Sequence, residues 1–213
     1  HLSNRRQRQM CIRDRVTAGG GTLKDWAHLK LYEKENEQLK KIADPNRVVF
    51  MGNSITQGWS NFDASFFSDN PFVNRGIGGQ TSPQMLIRFK PDVVNLNPKA
   101  VVILAGINDI AGNTGPITIE NIAENIISMA EIAKANEIKV FICSTLPAID
   151  FPWSPGMEPG PKVVKLNSIL KNYCDSTDFL NPANPGPTIS FTAATAVASS
   201  CPSGMGGFNL YVL

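Results

Sequence analysis

The sequence predicts a three-layer α/β/α fold built on a mainly parallel sheet. Short apolar, β-branched runs alternate with segments of helical spacing, and this order is typical of a sheet covered by helices. The strand-like runs are apolar throughout rather than alternating, as strands buried on both faces are. At 213 residues the chain has the size of one domain with one core.

Taken in order, Leu23 to Ile42 places Leu23, Trp26, Ala27, Leu31 and Leu39 on roughly one helical face and reads as an amphipathic helix ending before Asp44-Pro45. Val48-Val49-Phe50-Met51, bounded by Pro45 and Gly52, reads as the first buried strand. Phe72-Val73 opens the second, Ala100 to Leu104 forms the third and Ile138 to Cys143 the fourth. Helical spacing recurs at Pro83 to Phe89, Ile119 to Ala135 and Lys162 to Tyr173. A fifth strand is not evident. In sheets of this kind ligands bind beyond the carboxyl ends of the strands.

Both ends differ from this body. Residues 1–15 hold Arg5, Arg6, Arg8, Arg13 and Arg15 against Asp14 alone. Removing five arginines and one aspartate from 20 basic and 18 acidic side chains turns the net charge from +2 to −2, so the basic balance belongs to the leader. No aromatic residue is interleaved with these arginines, which argues against nucleic-acid binding. Met10-Cys11-Ile12-Arg13-Asp14 resembles a translated transposon end, and residues 1–15 are read as an artefactual leader. Residues 16–178 are read as the domain. Residues 179–213 contain no Asp, Glu, Lys, Arg or His, and form an atypical tail. Such a tail is either a flexible polar extension or, as we favour, the product of a frameshift or join near Asp175 to Leu180, because folded domains carry surface charge.

Cys11, Cys143, Cys174 and Cys201 lack the paired spacing of a disulfide framework or a zinc site. No metal or cofactor is implied. No apolar run reaches the length of a membrane span. The compartment stays open between cytoplasm and, if a signal peptide once preceded the chain, a secreted or periplasmic location. Oligomeric state is equally open.

Three polar motifs follow three successive strands. Gly52-Asn53-Ser54-Ile55-Thr56 puts Ser54 at a strand-to-helix turn, where a nucleophile is exposed and the helix N-terminus favours developing negative charge. A plain serine cap is the alternative. In Asn74-Arg75-Gly76-Ile77-Gly78-Gly79-Gln80-Thr81 the glycines let backbone N–H groups approach a ligand, as half of an oxyanion hole or a phosphate cradle. The dinucleotide spacing Gly-x-Gly-x-x-Gly fails at Thr81. Gly106-Ile107-Asn108-Asp109 supplies, in Asn108, an amide able to donate to an oxyanion, or else an ordinary Asx turn.

Together these motifs resemble the first three blocks of the SGNH (GDSL-like) hydrolases, with likeness running from about Trp26 to Cys174. Trp26-Ala27-His28-Leu29 and Phe151-Pro152-Trp153 resemble an acetylhydrolase-like branch. The resemblance implies a flavodoxin-like sheet and hydrolysis of small acyl esters, acetyl esters of a carbohydrate or lipid among them. It implies Ser54 as nucleophile, with the Ser54 and Gly79 N–H groups and the Asn108 side chain as oxyanion hole. Two departures stand out. The first block more often reads Gly-Asp-Ser, and here Asn53 replaces the acid. The family also draws its base and orienting acid from a C-terminal Asp-x-x-His, whereas this sequence contains only His1 and His28. A non-catalytic ligand-binding protein of the same fold is therefore the main rival, and a phosphate- or flavin-binding protein the second.

Overall fold

The computed structural model describes residues 25–176 and the strand 210–212. The leader 1–15 and most of the atypical tail lie outside the described residues. The elements, in chain order, are α1 (Glu33–Leu39), β1 (Val48–Gly52), α2 (Ser54–Phe62), α3 (Ala64–Ser68), β2 (Phe72–Gly76), α4 (Ser82–Asp92), β3 (Ala100–Leu104), α5 (Ile107–Ile110), α6 (Ile119–Ala135), β4 (Lys139–Cys143), α7 (Pro159–Ser176) and β5 (Leu210–Val212). The sheet order is β2-β1-β3-β4-β5. The first four strands are parallel, as the sequence predicts, and β5 pairs antiparallel with β4, where the sequence leaves a fifth strand open and the C-terminal part of the fold incomplete.

Alternation along each strand sends side chains to two different cores. Val49 and Met51 of β1, Val101 and Ile103 of β3, and Val140 and Ile142 of β4 enter the larger cluster. There they meet Met85 and Phe89 of α4, Ile122, Ile126 and Met129 of α6, and Leu166 and Leu170 of α7. Val48, Phe50, Ala100 and Phe141 face the opposite side, where α2 and α3 supply aromatic rings. Phe50 meets Phe66 and Phe67 edge-on at 5.4 and 5.5 Å, and Trp59 stacks on Phe66 at 5.0 Å. Aromatic pairs favour these arrangements because ring edges are positive and faces negative.

The helices begin and end where local chemistry dictates. The Thr118 hydroxyl accepts from Asn121 N at the start of α6, and the buried Ile122, Ala123, Ile126, Met129, Ala130 and Ala133 recur at helical spacing along it. Thr81 and Gln84 form a capping box at the start of α4, and Pro91 stands in its last turn. At the N-terminal end the expected helix over Leu23 to Ile42 shrinks to α1. The Asp25 carboxylate accepts from the N–H groups of Leu29 and Lys30, and His28 takes a left-handed φ of 56°, so residues 25–32 form turns instead. Ala27 is buried as expected, but Leu31 is 52% exposed and Leu23 lies outside the described residues.

What positions the site is a close approach of α2 to the strand ends. A Cβ added to Gly76 would stand 2.1 Å from Gln57 N, and one added to Gly52 would stand 2.0 Å from Thr56 Oγ1. Only glycine leaves room for the helix to pack this tightly. Gly76→Ala is therefore expected to lower the unfolding free energy by about 3 kcal/mol, at the upper end of overpacking costs. Gly58→Ala in the same helix adds a methyl that meets nothing within 4 Å beyond that helix's own backbone among the described residues, and should raise it by about 0.5–1 kcal/mol through helix propensity. Urea unfolding of the two variants checks both signs, and an unchanged midpoint for Gly76→Ala would contradict the packing.

Candidate functional site

Register brings the three motifs to one edge of the sheet. Gly52 of β1 lies opposite Gly76 of β2 on one side and Leu104 of β3 on the other. The loops leaving these residues carry Ser54, Gly79 and Asn108.

Ser54 is the first residue of α2, and its side chain is exposed at the end of β1. Asn53 caps the helix: its side-chain oxygen accepts from Ile55 N at 3.0 Å. Asn53 is buried, and its Nδ2 has no partner among the described residues. The position that more often holds an acid in the resembling proteins is here a satisfied acceptor with an orphaned donor. Ser54 N–H, at the first turn of the helix, has no acceptor among the described residues, as is usual for the leading N–H groups of a helix.

The β2–α4 loop runs alongside. A Cβ built on Gly78 would lie 3.8 Å from Ser54 Cβ, which places this glycine beside the serine. Gln57 of α2 accepts from Gly78 N–H at 2.9 Å. Gly79 adopts φ 75°, a conformation that favours glycine. Its carbonyl accepts from Asn113 Nδ2 at 3.0 Å, while its N–H has no acceptor among the described residues. Asn108, in the short α5 that Gly106 opens with φ 108°, is buried and donates through Nδ2 to Gln80 O at 2.9 Å. The structure thus joins the second and third motifs directly and sets the first against the second.

Several residues of this site have no strong signal in the sequence. Asp109 is buried, and both its oxygens accept from Ser82 N at 2.9 Å while one also accepts from Ser82 Oγ at 2.6 Å. Burial pushes its carboxyl up to about 6, against the lowering influence of the Ser82 hydrogen bonds. Arg88, fully buried on α4, donates to Gln80 Oε1, Asp92 Oδ2, Gly52 O and Arg75 O at 2.5–3.1 Å. Arg75 in turn donates to Asn36 Oδ1 and lies 4.5 Å from the Tyr32 ring centre, and the Tyr32 hydroxyl donates to Gly76 O. An arginine four residues before an aspartate on a helix reads in sequence as an ordinary surface pair, which is why this cluster escapes notice there. His28 lies in the turn behind the β2–α4 loop, and no hydrogen bond joins it to Ser54 among the described residues.

Among the described residues no group of three or more His, Cys, Asp or Glu could hold a metal, and no helix is long and apolar enough to cross a membrane.

Comparisons with known proteins agree with this fold. The model of the GDSL-like lipase/acylhydrolase family matches residues 50–188. A Bacteroides fragilis protein classed as an acylhydrolase is 50% identical, with a TM-score of 0.68 over 71% of this chain and 74% of the other. A GDSL-like lipase from Bacteroides thetaiotaomicron is 47% identical, with a TM-score of 0.66 over 70% and 74% of the two chains. The uncharacterised lipoprotein YqeF of Bacillus subtilis is 30% identical over 124 residues, covering 48% of this chain and 49% of that protein. The match thus spans about half the length of this curated relative.

Asp109 generates a pH prediction. An acid whose folded pKa lies above its unfolded value holds its proton more tightly when folded. The stability this contributes is fully present below about 3.8 and is lost as pH rises through about 6. Urea titrations of the native chain and Asp109→Asn from pH 3.5 to 7.5 should therefore show the native chain losing stability relative to the variant across that interval. A difference between the two that does not change with pH would contradict the burial of an ionisable group there.

Proposed function

The chain belongs to the GDSL-like lipase/acylhydrolase family, and from that we propose that it is a serine esterase acting on small acyl esters, with Ser54 as nucleophile. The observation that carries the reading is the convergence, at one edge of the sheet, of an exposed Ser54 at a helix N-terminus, a Gly78-Gly79 turn beside it, and Asn108 tied into the same loop.

In the proposed reaction Ser54 Oγ attacks the carbonyl carbon of the ester. The carbonyl π pair moves to oxygen, and the resulting oxyanion is met by the Ser54 and Gly79 N–H groups and the second N–H of the Asn108 amide. Collapse of this tetrahedral species restores the C=O bond and expels the alcohol oxygen, which takes up a proton. The acyl group left on Ser54 is then transferred to water. The donors offered to the oxyanion are backbone and amide groups already fixed in place, so little reorganisation accompanies the appearance of charge. The substrate class we favour is a small acetyl ester of a carbohydrate or lipid, with no cofactor.

The step that lacks a visible agent is removal of the Ser54 proton. No Asp-x-x-His occurs in this sequence, and that single fact favours a second reading, a ligand-binding protein of the same fold without turnover. Loss of a triad member leaves about 10³–10⁴-fold catalysis over water from the oxyanion hole and binding, so the two readings differ measurably.

Steady-state hydrolysis of p-nitrophenyl acetate is expected to be weak but Ser54-dependent. It should disappear in Ser54→Ala, fall about 10²–10³-fold in Asn108→Ala, and rise when free imidazole is supplied as an external base. Turnover of about 1–10³ s⁻¹ without imidazole, lost on Ser54→Ala, would show that another group serves as base. No Ser54-dependent rate with or without imidazole would leave the binding reading in place.

A further inference from the structure

We propose that Gln80 is a positioning residue of this site, whose side chain, gripped between Arg88 and the backbone of Ala27, sets the carbonyl that orients the Asn108 amide. The proposal rests on the esterase reading for its kinetic consequence, while its structural content stands on the geometry alone.

A side-chain amide carries two N–H donors in one plane. In Asn108 one of them is spent on Gln80 O at 2.9 Å in a buried setting. That bond fixes the amide plane, and with it the direction in which the other N–H points. The orientation of the free donor is therefore only as good as the placement of the Gln80 carbonyl. The Gln80 carbonyl follows Gly78 and Gly79, which populate a wide range of backbone angles, and on its other side its peptide is held by Thr81 N–H, which donates to Gln84 Oε1 at 3.1 Å.

On the glycine side the anchor is the side chain of Gln80, a residue that is 2% exposed. Its Nε2 donates to Ala27 O at 2.9 Å, and its Oε1 accepts from Arg88 Nε at 2.5 Å. Arg88 does not move freely. Its Nη2 donates to Gly52 O at 3.1 Å and Arg75 O at 2.9 Å, and its Nη1 pairs with Asp92 at 3.0 Å. Gly52 stands two residues before Ser54. One guanidinium thus references the loop holding Gly79 and Gln80 to the strand end that delivers the serine. The turn at Trp26 and Ala27 closes the grip from behind, where Trp26 O also accepts from Gln84 Nε2 at 2.7 Å. A buried donor or acceptor that loses its partner is costly, so each of these bonds resists displacement.

The test uses the full chain with Gln80→Met, which keeps the length of the side chain but neither hydrogen bond, and Gln80→Glu, which keeps an acceptor for Arg88 and loses the donor to Ala27. With p-nitrophenyl acetate, in imidazole if the unaided rate is low, Gln80→Met should lower kcat about 10–100-fold, the scale of a displacement near 1 Å. KM should stay within about two-fold, as for an interaction felt in the transition state. Gln80→Glu should fall between Gln80→Met and the native chain.

Independently, the Asn108 side-chain NH₂ signals, identified as the pair missing from Asn108→Asp in ¹H–¹⁵N spectra, should exchange with solvent faster in Gln80→Met. If a folded Gln80→Met keeps the native kcat and the native exchange rate, the proposal is overturned. If it changes KM and kcat alike, Gln80 serves binding or general stability and the proposal is likewise overturned. Should Gln80→Met fail to fold, the same two measurements on Gln80→Glu decide. Should the native chain show no Ser54-dependent turnover, the esterase reading falls and amide exchange alone decides whether Gln80 orients Asn108.

Discussion

The buried guanidinium of Arg88 is the interaction on which the carboxyl edge of the sheet depends. A full charge without contact with water is expensive to maintain, and burial indeed lowers the pKa of this arginine while Asp92 opposes the shift. The cost is offset because the planar fork of an arginine can donate to several acceptors at once, and here Gly52, Arg75, Gln80 and Asp92 all receive a hydrogen bond from it. Gly52 O already accepts from Ile77 N–H just beyond β2. Arg88 adds a second donor to that carbonyl of β1 and one to Arg75 O of β2, and by doing so holds the ends of two strands at a common level.

Asn36 extends the same logic. It donates to Asp92 and accepts from Arg75, so α1 is joined to α4 and β2 through one amide. The short N-terminal segment is thereby integral to the domain although it contributes few apolar side chains. Breaking such a network by deleting one member leaves another buried group unpaired, so its members stand or fall together. Rigidity beneath the site contrasts with openness above it, where Ser54 is exposed and the N–H groups of Ser54 and Gly79 point to no acceptor among the described residues. Firm support under unsatisfied donors is the arrangement that electrostatic stabilisation of a developing anion requires.

Membership in the acylhydrolase family and the absence of an Asp-x-x-His in this sequence pull in different directions. In the proposed reaction they concern separate parts. The proposed oxyanion contacts come from the loops that leave β1, β2 and β3, and these strands are in register. Proton removal in the resembling family draws on a C-terminal segment, and here the residues after 176, apart from β5, lie outside the described ones.

The sequence by itself determined the parallel sheet and the three motifs at its strand ends. Those signals are local: a strand buried on both faces must be apolar residue after residue, and a tight turn after it must use glycine. Val48–Gly52, Ala100–Leu104 and Ile119–Ala135 accordingly appear close to where their pattern places them. Only the tertiary structure decided what supports those motifs. Over residues 25–32 the helix expected from Leu23 to Ile42 gave way to turns because the Asp25 carboxylate competes for backbone N–H groups, and because Trp26 and Ala27 offer their carbonyls to Gln84 and Gln80 rather than to a helix. The burial of Arg88 and Asp109, the union of Asn36 with Arg75 and Asp92, and the bond from Asn108 to Gln80 link residues up to 56 positions apart. No periodicity records such pairings, since a polar side chain reads as surface until a distant partner removes it from water.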